Sequence, residues 1–493
     1  LPTASRSTTQ TTGGSDAGVE IGQTEENTVS EVLVVITDGT AGTNYDKYIT
    51  KSSVITPTSA GNNTYVVPFS STALTSYAGK PVNVYVFCNP TSELKGEDEA
   101  TASTEEINVD DTYKLSSISD GTIWADNKFL MTNADKNYSR TMPESFNNYK
   151  VESSPFNIGT INVERAAARF DYKSTVANET YTLMGEDSDP EVTVTLTDMA
   201  LVNMSQEFYY LRRVSANGTN TSATIGGTET NTNYVVDTDA TWKSSYTGVT
   251  SDEASHFFYV YNPNTASTTD YAWTSIGSLS TEDNDESWNS GENENTSKEG
   301  YKIWRYATEN TIPAAVTNQK KGITTGVVFK GVINPVKGGA IKTAMEAKST
   351  VYVYNDIMYG TWNDVKTAAN SDPVLKLAYD EVGDTENKTT AVANGFTVFE
   401  PTTDGKYEVL YYYWNRHNDN NNDGSMGPME FGVVRNNVYK LSVTGVNKFG
   451  HPTDPDNDPD PEDPGDPDES DNVYFSVMAK VLPWVVRVND IEF

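Results

Sequence analysis

The sequence predicts an all-β protein: two tandem β-sandwich domains, then a C-terminal strand carried on an acidic, proline-rich linker. Three observations carry the prediction. Tyr, Thr, Val, Asn and Gly dominate, and 29 Tyr in 493 residues favour strands joined by polar turns. Apolar residues recur with period two in short runs punctuated by Asn and Gly clusters, as sandwich strands and turns do. The final stretch reads as a strand with no local partner, behind a segment too polar to build a core. A chain of 493 residues also exceeds what one hydrophobic core usually serves, so two or three domains are expected.

Residues 1–30 are rich in Ser, Thr and Gly and are expected to be an irregular N-terminal segment. Arg6, followed by Ser7, is the sole basic residue before Lys47. In an exposed polar segment it offers itself to a trypsin-like protease. An ordinary surface arginine is the plainer reading. Residues 31–160 are expected to form the first sandwich. Its strands begin with Val32, Val34 and Ile36 and continue at Tyr65–Phe69, Val82–Cys88 and Phe129–Met131. Cys88 shares the face of Val82, Val84 and Val86 and reads as a small buried hydrophobe. As the one cysteine, it allows no intrachain disulfide.

Near residue 160 the text changes to a small, basic run, Arg165-Ala-Ala-Ala-Arg169. Residues 161–451 are expected to form the second sandwich, with insertions. Strands are expected at Val192–Leu196, Phe208–Leu211, Phe257–Tyr261, Gly322–Ile333, Thr397–Glu400, Tyr407–Trp414 and Val433–Val443. Residues 213–251 and 263–300 read as polar surface loops. Residues 361–369 and 372–381 are the plausible helices, the second opened by Asp372 with Pro373 at its first position.

Charge and motifs narrow the function. With 69 acidic against 35 basic residues, the net charge of −34 excludes nucleic-acid binding, which needs a basic face. It suits an exposed soluble surface or one that binds cations. No apolar run approaches the roughly 18 residues that cross a bilayer. A chain beginning with Leu is expected to be a processed or recombinant product whose export signal has gone. His256, His417 and His451 fall in no HExxH or zinc spacing, and no nucleophile or nucleotide-binding motif is present. The chain is therefore read as no enzyme. One loop fits a calcium pattern: Asp419, Asn421, Asp423 and Glu430 as side-chain ligands, Ser425 through its carbonyl, and Gly424 at the sharp turn. Its flanks read as strands and Pro428 interrupts it. An Asn/Asp-rich hairpin loop explains the same residues, so calcium is the one cofactor raised and it stays open.

The linker, 452–472, is nearly all Pro and acid and is expected to run as an extended, self-repelling spacer. At about 3.1 Å per residue it could span on the order of 60 Å. The ribbon, 473–493, alternates Val473, Phe475, Val477, Ala479 and Val481 with polar neighbours. After Pro483 the apolar set moves to Trp484, Val486 and Val488. Pro483 implies an edge, a bulge or a kink. Such a ribbon either folds back into its own domain or completes the sheet of another molecule. Its eight apolar side chains, at about 1.5–3 kcal/mol each, give a gross term on the order of 10–20 kcal/mol, reduced by the cost of ordering.

Three stretches resemble the Bacteroidales fimbrillins that build type V pili, most closely those of the short fimbriae of oral Porphyromonas. They are the acidic Pro-rich spacer with the Pro483-Trp484 strand and the terminus Asn489-Asp-Ile-Glu-Phe493, the segment NVERAAARFDY at 162–172, and VVRNNVYKLSVTGV at 433–446. Leu1–Arg6 resembles the stretch that ends in the family's cleavage arginine. The resemblance covers both ends and the middle. It implies two transthyretin-like β-sandwich domains and export as a lipoprotein to the outer membrane. It also implies removal of an N-terminal strand by a trypsin-like protease, between Arg6 and Ser7, and donation of the C-terminal strand into the groove this opens in the next subunit. The product is an extracellular homopolymer, with accessory anchor and tip subunits and with adhesion receptors as partners. Two rivals remain at this stage: a monomeric surface glycan-binding lipoprotein, and a secreted β-sandwich glycosidase, for which no motif speaks.

Overall fold

The structure, a computed structural model, describes residues 22–37, 50–51, 65–95, 112–118, 122–125, 127–134, 138–226, 232–248, 252–261, 271–280, 301–313, 319–417, 429–465, 475–483 and 487–492, the last two by backbone path alone. It is built mainly of antiparallel sheets. The first sheet gathers β1 (Val32–Thr37), β2 (Pro81–Cys88), β3 (Met131–Asn133), β4 (Tyr138–Thr141) and β5 (Asn157–Arg165), with Thr50–Lys51 on the outer side of β1. Period two decides what each face meets. Val32, Val34, Ile36, Val82, Val84, Val86 and Cys88 enter one core. Leu33, Val35, Tyr85 and Phe87 enter another that reaches deep into the second half of the chain. Cys88 is buried as expected, and burial pushes its thiol up to about 12.

The chain leaves β5 and starts β6 (Ala168–Tyr172) across Ala166 and Ala167, both buried. A crossing through packed core has no room for long side chains, which accounts for the alanines. Two further sheets then face each other. One holds β6, β9 (Lys302–Ala307) and β12 (Asn437–Val446), in the order β9-β6-β12, with β6 and β12 parallel. The other holds β7 (Thr180–Glu186), β8 (Asp189–Val202), β10 (Gly326–Pro335) and β11 (Tyr407–Trp414), with β10 between β8 and β11. Phe170, Tyr172, Tyr439 and Leu441 pack against Val194, Phe329, Val409 and Tyr411 in the shared core. The rings of Tyr172 and Phe329 lie 5.9 Å apart.

Several elements differ from the sequence reading. Residues 65–70 form no strand although Tyr65 and Val67 are buried. The strand expected at Phe129–Met131 begins two residues later, as β3. The stretch 213–248 is not plain loop. Arg213–Ser215, Thr224–Ile225 and Tyr234–Val235 make a small sheet. Lys243 is buried there, bonded to Asp237, Asn310 and the Thr311 carbonyl. The two expected helices are present, flanked by one shorter helix on each side, and further short helices of four or five residues lie elsewhere among the described residues. After α1 (Thr24–Asn27) come α2 (Ala340–Glu346), α3 (Trp362–Ala369), α4 (Pro373–Val382) and α5 (Lys388–Ala393). Asp372 accepts the Val374 and Leu375 N–H groups, and Thr361 and Asn387 cap α3 and α5. The linker differs most. Residues 452–465 lie on the body, and Asn457, Asp458 and Glu462 are buried. Sequence composition exposed the like charges but not the His451, Lys321 and Lys388 that compensate them.

One ionic joint ties the N-terminal segment to both halves. Arg169 forks onto both oxygens of Asp171, at 2.8 Å each, and onto Glu26 Oε1 and Oε2 at 3.0 and 2.9 Å. Tyr306 on β9 donates to Glu26 at 2.8 Å, and the Gln23 N–H donates to it at 2.6 Å. Arg165 reaches the Glu26 carbonyl at 2.9 Å and Asn436 at 3.2 Å. Burial alone would raise the Glu26 carboxyl, but Arg169 and Arg165 hold it below its ordinary value. Arg169→Ala would leave two buried carboxylates without their partner. We expect a loss of about 3–5 kcal/mol, measured as a lowered urea midpoint; a change below about 1 kcal/mol would refute the assignment.

Candidate polymerisation site

The ribbon supplies two strands, β13 (Phe475–Pro483) and β14 (Arg487–Glu492). They lie on different sheets of their own chain. β13 runs antiparallel to β12 and ends the order β9-β6-β12-β13. β14 runs antiparallel to β5 and ends the first sheet. Among the described residues each half is thus an edge strand with one neighbour, held by a single ladder. The first half stops at Pro483, which has no N–H to continue a ladder.

The two registers differ in quality. On β13, Phe475, Val477, Ala479 and Val481 stand opposite Val446, Val443, Leu441 and Tyr439, all buried. Apolar positions meet apolar positions, and residues directly opposite share a face. On β14, Val488 stands opposite Asn162, while Arg487 and Asn489 stand opposite the buried Val163 and Ile161. A one-residue slip moves every position to the other face. Of the apolar set after Pro483 only Val488 lies among the described residues, and it stands opposite a polar position, while Ile491 stands opposite Gly159.

Other sequence-predicted residues are placed as follows. Val473, Trp484 and Val486 lie outside the described residues, as do Arg6 and Ser7. So do Asp419, Asn421, Asp423 and Ser425. Glu430, the last residue of that loop, is fully buried. Its carboxylate takes a 2.8 Å bond from Arg416, whose guanidinium also lies over the Phe431 ring at 4.9 Å. The His417 N–H donates to the Glu430 carbonyl at 2.7 Å, and Arg416 bridges Phe431. These bonds pair the two segments that flank residues 418–428.

The sequence reading overlooked β5 as the partner of the ribbon. Its signal was present, since Ile161 and Val163 alternate with Asn162 and Glu164. It was masked by the change to the Arg165–Arg169 run immediately after it.

Residues 406–490 match the family model described as the major fimbrial subunit protein type IV, fimbrillin, C-terminal. That range takes in β11, the hairpin, β12, the linker and most of the ribbon. No curated protein matches the chain. Among solved structures, a fimbrilin from Porphyromonas gingivalis W83 aligns over 96% of this chain and 95% of its own at 12% identity, with a TM-score of 0.39. A candidate cell adhesion protein from Parabacteroides distasonis ATCC 8503 aligns over 94% and 97% at 13% identity, with a TM-score of 0.38. Another from Bacteroides eggerthii DSM 20697 aligns over 94% and 91% at 11% identity, with a TM-score of 0.36.

Of the proposed calcium ligands only Glu430 lies among the described residues, and its carboxylate is paired with Arg416. Titration calorimetry with calcium is expected to give no saturable heat. Glu430→Ala is expected to lower stability by about 1–3 kcal/mol through the orphaned arginine. A saturable calcium heat abolished by Asp419→Ala would reverse the assignment.

Proposed function

We propose that this chain is a structural, non-catalytic subunit of a bacterial surface fimbria, assembled outside the outer membrane and serving adhesion. Its C-terminal segment is fimbrillin-like, which supports the class. The mechanism proposed is strand exchange: the ribbon 473–493 leaves its own two sheet edges and adds to the N-terminal sheet of a neighbouring copy. The observation that carries this is the split seating of the ribbon, one half on the edge of each of two sheets. A strand held at an edge by one ladder can rebuild that ladder on the edge of another copy.

Removal of an N-terminal strand by a trypsin-like protease after Arg6 is proposed as the step that vacates such an edge. While the groove is filled, no incoming strand can pair with its backbone groups. After cleavage the exposed N–H and C=O groups and apolar floor become the receptor. A head-to-tail contact of this kind does not close on itself and so extends into a filament. Accessory anchor and tip subunits would terminate the filament at its two ends. The buried joint at Glu26 lies downstream of the cleavage point, so processing leaves it intact.

Two experiments test this reading. Deleting Val473–Phe493 should leave a soluble monomer that forms no fibres in electron micrographs and no heat-sensitive ladder on an unboiled gel. Normal fibres from that truncation would exclude the ribbon as the donor. Separately, Arg6→Ala in the exported precursor should accumulate a longer, unassembled chain at the cell surface. Wild-type fibre yield from that variant would place the processing step elsewhere.

A further inference from the structure

We infer that residues 451–465 are a charge-held clamp that fixes the point from which the C-terminal ribbon leaves the body, and that the clamp opens when its charges are removed. The segment is bound along its length. His451 and Pro452 pair with Leu410 and Val409 of β11. Asp454 accepts the Asp456 N–H at 3.1 Å and caps the turn Pro455–Asn457. The Asp454 carboxylate also lies 3.4 Å from Lys388, which bonds Glu400 at 2.8 Å. His451 Nδ1 bonds the Asp458 carboxylate, and Nε2 lies 3.5 Å from Glu462. Lys321 approaches the other Glu462 oxygen at 2.5 Å. Tyr261 donates to the Glu462 carbonyl at 2.8 Å, and the Gly322 N–H donates to the Pro464 carbonyl at 3.0 Å.

Composition alone says this acidic stretch should repel itself away from the body. It stays because one imidazole and one ammonium are buried beneath it. His451, Asp458, Glu462 and Lys321 are each at least nine-tenths buried. Ion pairs this dry lose little to screening by salt, but they depend on every member keeping its charge.

The charge of His451 makes the clamp pH-sensitive. Burial by itself would lower the imidazole, but Asp458 and Glu462 outweigh it and raise it to about 9. Burial would raise Glu462, but His451 and Lys321 hold it below its ordinary value. The other groups at this site are the Tyr412 ring on β11, 5.5 Å from His451, together with Tyr261, Tyr271 and Asp463. The Tyr261 and Tyr412 hydroxyls are pushed far above their ordinary value, mainly by burial, and stay neutral. The contribution of His451 is complete below its ordinary 6.5 and is lost as pH rises through about 9. That of Glu462 is complete above its ordinary 4.5 and is lost as pH falls through its lowered value. The clamp is thus tightest between those two ordinary values and opens on the alkaline side.

Only the consequence for assembly rests on strand exchange. With the clamp closed, 466–474 alone join the body to the ribbon, and nine residues reach at most about 30 Å. That is half the span suggested by the whole linker.

Hydrogen exchange on the unassembled, full-length chain tests the clamp, with rates corrected for intrinsic pH dependence. At pH 6, His451→Gln should speed exchange of 451–465 and of the Gly322 amide at least tenfold, with 326–335 unchanged. Raising the wild type to pH 9.5 should do the same and should add nothing in His451→Gln. If that variant disturbs the whole body, Asp458→Asn, which keeps the imidazole, decides by the same readout. Equal rates in wild type and variant, or an unprotected 451–465 in the wild type at pH 6, would overturn the clamp. Failure of the wild type to form fibres would count against strand exchange alone and leave the exchange result standing.

Discussion

Everything else in the molecule hangs on the buried pairing of Arg169 with Glu26 and Asp171. A guanidinium with no solvent contact must have both forks filled, and here they are filled from two directions. Asp171 lies on the same strand, so it orients the side chain. Glu26 comes from the short helix at the start of the described chain, with Tyr306 steadying it from β9. The joint therefore fixes three things at once: where the N-terminal segment rests, how β5 turns into β6, and which strand flanks β6. A second buried pair nearby works in the same way. Arg435, just ahead of β12, bonds Glu309 and the carbonyls of Tyr209 and Tyr210. That brings 207–211 over the first sheet, where the Phe87 and Tyr210 rings meet edge to face at 6.4 Å. The two halves are consequently interlocked through their cores rather than strung as beads.

The strand exchange proposed for this interlocked body would use what lies at its margins. The ribbon is at the margin twice, as the last strand of one sheet and the last strand of another. Breaking an edge ladder costs one set of hydrogen bonds, and the same set can be rebuilt on another molecule. Central strands such as β10, paired on both sides with β8 and β11, have no such freedom. The acidic surface adds to this picture. A net charge of −34 makes copies of the chain repel one another, which opposes non-specific association.

Much of the strand framework was legible in the sequence. β1, β2, β10 and β11 follow period-two runs, and the burial of Cys88 follows from the face it shares with Val82, Val84 and Val86. α3 and α4 were legible because Asp372-Pro373 and the polar–apolar spacing are local signals. α2 and α5 were not, since six or seven residues give too little periodicity. The stretch 213–248 misled for a different reason. Its apolar residues are sparse, and its order comes from Lys243 meeting Asp237 and Asn310, the last of these 67 residues away.

The sequence by itself determined the all-β class, the alternation of the ribbon, its interruption at Pro483 and the strength of the acidic field. Only the tertiary structure decided which strands neighbour the ribbon, in what register, and that residues 452–465 of the linker are held down. The physical reason is the same in each case. Periodicity names the face a residue presents but not the strand beside it, and charge composition counts ions without saying which of them meet. His451, Asp458, Glu462 and Lys321 are ordinary residues in the text; folding places them in one buried cluster.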